Sequence, residues 1–326
     1  MIVTLTANPS LDRTIDLAAP LVRGGVQRAT ATHSQPAGKG VNVSRAVAAA
    51  GRPTVAVLPG DPSDPLVLGL AEDGLPHLAL PIGQPLRSNV TVTEPDGTTT
   101  KINEPGPTLS AADQDALAAL VAEASSGAAW LVLAGSLPPG VAPDYYARLA
   151  ARLRRTLGAE CPRIAVDTSG APLGAALAAG PESAPSLLKP NAEELAELVG
   201  GTTEAELEAS PELAADTARQ LLDRGVEAVL ATLGAGGAVL VTRDGAWRAS
   251  HPPVAARSTV GAGDSSLAGY VLADLAGVDA PGRLARAVAY GAAAASLPGS
   301  VIPSPHHTDP GAVTVVDITR QGSRHD

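Results

Sequence analysis

Short runs rich in Val, Leu and Ile alternate along this chain with longer Ala-rich stretches of helical period. That alternation constrains the fold more than any other feature. A strand that returns through a helix lies parallel to its predecessor, so the pattern predicts βα units around a largely parallel sheet. Core strands are expected over residues 2–7, 54–58, 130–134, 164–167, 187–189, 228–232 and 238–242. Helices are expected over 41–50, 111–124, 143–157, 192–199, 211–224, 264–276 and 281–297. Gly51 stands in a helix-ending position, and Ser110, with Asp113 three residues on, is a good N-cap. The class is α/β.

Two stretches break this rhythm, 14–32 and 88–102. In the second, alternating Val and Thr flank Asp96-Gly97, which reads as strand, turn and strand. Both belong to a small β-element standing off the main sheet. No internal repeat or low-complexity linker divides the chain, so residues 1–319 are expected to form one domain, with segments at about 10–35 and 86–104 inserted as that β-element. The polar tail, 320–326, is expected to be disordered.

With 326 residues, 45% of them hydrophobic, the chain can bury a substantial core. It has no unbroken apolar run of about 20 residues and no basic-then-apolar start, which argues against a membrane span or an export signal. The one cysteine, Cys161, cannot pair within the chain, and this suits the reducing cytoplasm. A net charge of −10 without a basic run, and 2% aromatics without Phe, argue against a nucleic-acid surface. Small-molecule partners are expected instead. Of the 23 basic residues only three are lysines, Lys39, Lys101 and Lys189. Chance is the plain explanation; the sharper one is that a phosphate there needs a compact point charge.

Six strand exits carry candidate chemistry. In Ser258-Thr259-Val260-Gly261-Ala262-Gly263-Asp264, small residues open directly into an apolar helix. Gly261, Ala262 and Gly263 leave backbone N–H groups clear at a helix N-terminus, which favours an anion, and Asp264 in the first turn can accept a proton from an attacking hydroxyl. A glycine turn capped by Asp is the alternative. The segment from Gln35 to Ala46 lacks the Gly at 33 and the Ser or Thr at 40 of a Walker A loop, having His33 and Gly40. What remains is a turn of backbone donors with Lys39 and Asn42, suited to a phosphorylated polyol or to a plain helix start. In a chain this acidic, Lys39 is expected to have few local anions to pair with and so to complement a bound phosphate.

After Leu188-Lys189-Pro190, Asn191 and Glu194 are three apart and would share a helix face, able to hold Mg²⁺ through water. Glu193 and Glu197 read as solvated. The turns Gly135-Ser136-Leu137-Pro138-Pro139-Gly140 and Thr232-Leu233-Gly234-Ala235-Gly236 lie where α/β sheets place ligands, though the latter reads equally as a hairpin turn. Asp12, in Asn8-Pro9-Ser10-Leu11-Asp12, can accept hydrogen bonds from sugar hydroxyls.

The order of these motifs resembles the PfkB/ribokinase-like carbohydrate kinases from Met1 to about Pro303. It is most similar to their phosphosugar branch of 1-phosphofructokinases, tagatose-6-phosphate kinases and minor-type 6-phosphofructokinases. The resemblance implies a three-layer α/β/α domain with a largely parallel central sheet and a small β-sheet lid. It further implies Mg²⁺-dependent transfer from ATP to a sugar phosphate and a homodimer joined through the lid. By position, Asp264 would be the base and Gly261, Ala262 and Gly263 the anion hole. Lys189, Asn191 and Glu194 would serve the ATP phosphates and Mg²⁺, with Thr232, Gly234 and Gly236 along the nucleotide. Asp12, Gly38, Lys39, Asn42, Arg87 and Ser136 would hold the sugar phosphate. Gly38-Lys39-Gly40 is the form this turn takes in the 1-phosphofructokinase-like members, which favours fructose 1-phosphate as acceptor.

Three positions depart from the family pattern: Ala37 where Gly is usual, Thr91 where Lys is usual, and Lys101 where an acid is common. The last two fall in the lid. Two rival readings are weaker. A nicotinamide dehydrogenase would need Gly-x-Gly-x-x-Gly after the first strand, where Asn8-Pro9-Ser10 stands instead. A sugar-phosphate sensor without turnover would be favoured by loss of Asp264 or its glycine turn, and both are present.

Overall fold

In the computed structural model, which describes residues 1–178, 180–299 and 301–319, the chain opens with β1 (Ile2–Thr6). β2 (Ser10–Leu17) and β3 (Ala29–Ala37) leave for a second sheet before α1 (Lys39–Ala49) and β4 (Thr54–Pro59) return to the first. Then come α2 (Pro65–Glu72), β5 (His77–Leu80), β6 (Arg87–Thr93) and β7 (Thr99–Asn103). The chain continues through α3 (Ala111–Ser125), β8 (Trp130–Ala134), α4 (Tyr145–Leu157), β9 (Arg163–Asp167), α5 (Gly170–Ala178) and β10 (Leu187–Leu188). α6 (Ala192–Val199), α7 (Glu204–Ala209) and α8 (Pro211–Leu222) precede the meander β11 (Ala228–Thr232), β12 (Ala238–Thr242) and β13 (Gly245–Ser250). α9 (Ala262–Leu275), α10 (Ala280–Ser296) and β14 (Thr314–Asp317) complete it.

Ten strands form one sheet in the order β14-β13-β12-β11-β10-β9-β8-β1-β4-β5. The run from β11 to β5 is parallel, and β12, β13 and β14 extend it antiparallel. Strands covered on both faces read as continuous apolar runs, and β1 and β8 are buried at every position. Alternate residues serve opposite layers. Val3, Leu5, Leu131 and Leu133 pack with Leu117 of α3, Tyr146 of α4, Leu195 of α6 and Leu221 of α8. Ile2, Trp130 and Val132 pack with Val43 and Val47 of α1, Leu267 and Val271 of α9, and Leu284 of α10. Each fully buried Leu or Val contributes about 1.5–3 kcal/mol. The result is the expected three-layer α/β/α arrangement.

The second sheet has the order β3-β2-β6-β7. Its outer pair is the expected hairpin, turning through Gly97 at φ 89°. Expected helix ends hold at Ser110, which shares a capping box with Asp113, and at Gly51, where φ is 68°. The helix after the Gly38 turn begins at Lys39, two residues earlier than its apolar period predicts, because Gly38 supplies the N-cap. α2, α5, α7, β5, β13 and β14 have no counterpart in the sequence reading. Among the described residues no helix is long and apolar enough to cross a membrane. The tail expectation at 320–326 lies outside the described residues.

Candidate active site

The parallel strands all end on one edge, and the motif residues gather there. At the end of β1, Thr6 Oγ1 accepts from the Val41 N–H at 3.0 Å, which fixes the start of α1. A Cβ on Gly40 would lie 2.5 Å from that oxygen and one on Gly38 2.6 Å from Thr6 Cγ2, so two glycines let the helix begin against the strand. Lys39 and Asn42 are thereby carried to the sheet edge.

α9 approaches the same point. Gly261, left-handed at φ 75°, is its N-cap without a capping side chain, and buried Asp264 stands in its first turn. Asn42 Nδ2 donates to Asp264 Oδ2 at 2.8 Å. The free backbone donors are fewer than the three-residue motif suggests, because the Ala262 N–H donates to Thr259 O at 3.3 Å. Gly261 and Gly263 supply the remaining donors. A Cβ on Gly263 would lie 3.1 Å from Lys189 Nζ, so this glycine admits the lysine to the helix end.

Asp167, at the end of β9, joins the two lysines, and it was not among the residues singled out from the sequence. Its carboxylate is wholly buried; Lys39 Nζ donates to Oδ1 at 2.7 Å, and Lys189 Nζ lies 3.2 Å from Oδ2 as an ion pair without hydrogen-bond geometry. The expectation that Lys39 lacks local anions is thus incorrect. Net charge sums over the whole chain, whereas this lysine meets one buried acid brought to it by the sheet. Burial alone would lower the Lys39 pKa, but Asp167, then Asp264 and Glu194, raise it above its ordinary value. Burial pushes Asp167 up, yet Lys189 and Lys39 outweigh it and hold the carboxyl below its usual range. Asp264 is pushed up to about 6, first by burial and then by the Asp167 charge, with Lys39, Asn42 and Lys189 opposing. Two acids thus divide their roles, one kept ionised and one poised near neutrality.

Asn191 and Glu194 do not share a free helix face. Asn191 is the N-cap of α6: its Oδ1 accepts from the Glu194 N–H at 2.7 Å, and Glu194 Oε2 accepts from the Asn191 N–H at 2.9 Å. That reciprocal pairing engages one oxygen of each side chain and leaves the other carboxylate oxygen of Glu194 unused by the cap. Glu194 is buried but felt electrostatically by Lys39. Its remaining carboxylate oxygen is a donor of the kind that Mg²⁺ takes beside phosphate and water. Among the described residues no three His, Cys, Asp or Glu side chains form a metal cage. Glu193 and Glu197 are exposed, as expected. Thr232 ends β11 with its N–H on Pro190 O at 3.0 Å, and Gly234–Gly236 is the hairpin turn into β12.

The remaining residues line the base of the second sheet. Arg87 donates to Asn8 O at 3.0 Å and Glu104 O at 3.2 Å, and Asn8 Nδ2 donates to the exposed Ser136 at 3.4 Å. Asp12 Oδ1 accepts from Ser10 Oγ at 2.7 Å. Ala37 is buried at the end of β3. Thr91 and Lys101, the two lid departures, face each other directly in the β6–β7 register.

This assembly of a glycine-led helix N-terminus, a buried acid and convergent lysines at the carboxyl edge of a parallel sheet is that of a phosphoryl-transfer site. A model described as pfkB family carbohydrate kinase matches residues 5–307. The 1-phosphofructokinase of Rhodobacter capsulatus is 36% identical over 297 residues, covering 89% of this chain and 90% of that protein. The ATP-dependent 6-phosphofructokinase isozyme 2 of Mycobacterium tuberculosis is 39% identical over 275 residues, 82% of this chain and 76% of that one. The structure of phosphofructokinase-2 from Escherichia coli in complex with substrates and products superposes with a TM-score of 0.83 at 32% identity, over 94% of this chain and 96% of that one. The chain belongs to the pfkB family of carbohydrate kinases, phosphotransferases that act on a sugar alcohol. Within that family it falls in the phosphosugar branch.

Proposed function

We propose that this kinase transfers the γ-phosphoryl group of ATP to fructose 1-phosphate, giving fructose 1,6-bisphosphate and ADP. The observation that carries this reading is Asp264, buried at the start of α9, held by Asn42 and set beside two lysines that share Asp167. The sugar hydroxyl gives its proton to Asp264 as its oxygen bonds to the γ-phosphorus, and the bond from that phosphorus to the ADP oxygen breaks. Gly261 and Gly263 N–H groups and Lys189 face the charge on the transferring group, which preorganised donors stabilise best away from water. Lys39, Arg87 and the Gly38 turn hold the acceptor's own phosphate, and Asp12 and Ser136 hold its hydroxyls. Thr232, Gly234 and Gly236 run along the nucleotide. Glu194 would hold Mg²⁺ through water, and the ion would neutralise phosphate charge.

Relatives named for both 1- and 6-phosphofructokinase activity support a fructose phosphate as acceptor. Gly38-Lys39-Gly40 favours the 1-phosphate. Two copies would pair across the lid sheet, where Ile102 is 60% exposed and the loop after β2 presents Val22 at 57%; a tetrameric inhibited form is described for Escherichia coli phosphofructokinase-2. The single cysteine is consistent with action in the cytoplasm. A coupled ADP-release assay with fructose 1-phosphate, fructose 6-phosphate and tagatose 6-phosphate tests the substrate. The highest kcat/KM is expected for fructose 1-phosphate, and a higher value for either 6-phosphate would reassign it.

A further inference from the structure

At the base of the second sheet, Asp12 on β2 and Asn89 on β6 stand directly opposite in the parallel register, two residue pairs along from Ser10 and Arg87. Asn89 Nδ2 donates to both Asp12 Oδ1 and Ser10 Oγ at 3.0 Å, and Ser10 Oγ closes the triangle on Asp12 Oδ1 at 2.7 Å. One oxygen of Asp12 therefore takes two donors, and the carboxylate is fixed with its other oxygen left to a ligand. The alternative partner for Asp12 is close by. Arg87 spends its terminal nitrogens on two carbonyls, and its Nε is buried without a hydrogen-bond partner. Burial works against the guanidinium charge, and Asp12 is the acid that most offsets this. Glu104 acts on the same guanidinium more weakly, and a carboxylate released beside the unpaired Nε would close a salt bridge, since charge-assisted pairs are the stronger ones.

We propose that Asn89 is a positioning residue that holds Asp12 apart from Arg87, so that Asp12 stays free for a sugar hydroxyl and Arg87 for the sugar's phosphate. This rests on the reading of Asp12 and Arg87 as sugar-phosphate ligands. Asn89 itself acts through Asp12 and needs no contact with substrate. Its own Oδ1 is buried and unpartnered, so the amide is kept for its two donated bonds alone. Without it, Asp12 and Arg87 neutralise each other, and both ligands of the acceptor are lost together.

The test is a double-mutant cycle on the sugar-phosphate KM, with the KM for ATP and the melting temperature as controls. Asn89→Ala is expected to raise the sugar KM about 10-fold or more while leaving ATP affinity and melting temperature nearly unchanged. Asn89→Asp, which sets a like charge against Asp12, is expected to raise it further and serves should the alanine variant fold poorly. In an Asp12→Ala background, Asn89→Ala is expected to add nothing. A full additional loss in that background overturns the proposal, because Asn89 would then act independently of Asp12. So does an unchanged KM in Asn89→Ala when Asp12→Ala is impaired, which leaves the sugar-site reading standing. An unchanged KM in Asp12→Ala overturns the sugar-site reading itself.

Discussion

Lys39 Nζ lies 2.7 Å from Asp167 Oδ1, and this pair joins the helix that starts after the Gly38 turn to the end of a central strand. Lys189 reaches the other oxygen of the same carboxylate, so two lysines on different elements are held by one buried acid. Asp264 and Glu194 add to the field on Lys39, so the two lysines are set among three acids at one sheet edge.

The charges around Asp264 make its titration adjustable in both directions. Its carboxyl is pushed up to about 6 by burial and Asp167, against Lys39, Asn42 and Lys189. The ionised, proton-accepting form is lost as pH falls through that value, so kcat/KM is expected to fall on the acid side near it. Asp167→Asn removes a negative neighbour and is expected to move the acid limb to lower pH, whereas Lys39→Met moves it higher. A pH–rate series on the three proteins checks this, and shifts in the same direction would contradict it.

Lys39 also has a binding role in this account. Losing a charge-assisted hydrogen bond of about 1.5–3 kcal/mol, Lys39→Ala is expected to raise the sugar-phosphate KM about 10- to 150-fold, with the ATP KM little changed. Equal losses for both substrates would place Lys39 in a purely structural role on Asp167.

Gly40 sets how closely α1 meets β1. A methyl group there would stand 2.5 Å from Thr6 Oγ1 and 3.0 Å from Leu5 O, and Thr6 is already tied to the Val41 N–H. Gly40→Ala is expected to cost about 1–3 kcal/mol in denaturant unfolding and to weaken sugar-phosphate binding by shifting Lys39 and Asn42. Gly174→Ala, in α5 with nothing within 4 Å of the new methyl, is expected to be neutral or stabilising.

At the opposite edge of the sheet, Asp274 accepts from the Trp130 indole at 2.8 Å, from Arg163 at 2.8 Å and pairs with Arg283 at 3.1 Å. The arginines retain partial exposure, so Asp274→Ala is expected to cost roughly 2 kcal/mol, below the range for a fully buried pair. Trp130 and Arg163 begin their strands, away from the catalytic edge, so kcat/KM should not change. Loss of activity in a variant that remains folded would show coupling that this account lacks.

The central strands and the long helices are legible because burial on both faces leaves unbroken apolar runs and amphipathic periods. β13 and β14 are not, since they lie at a half-exposed antiparallel edge where period and composition weaken. The glycine turns, Asp264 and Asn42 carry a local signature. Asp167 carries almost none: it reads only as the polar end of the strand over 164–167, and the pairing of β9 beside β10, which brings Lys189, with the docking of α1, which brings Lys39, sets it between two lysines. The same limit explains Asn191, whose three-residue spacing to Glu194 suits a shared helix face and a capping box equally.

The central claim is that Asp264 accepts the acceptor's proton. Asp264→Asn keeps the shape and removes the charge. Because the folded carboxyl titrates near 6, above its ordinary 3.8, its ionisation costs stability that is lost as pH rises between those values. The variant should therefore be at least as stable as the parent above pH 6. Steady-state kinetics with saturating ATP and sugar phosphate at neutral pH, on protein shown to be folded, give the decisive number. A fall in kcat on the order of 10²-fold or more with nearly unchanged KM values is expected; a variant that keeps most of its kcat would contradict the account.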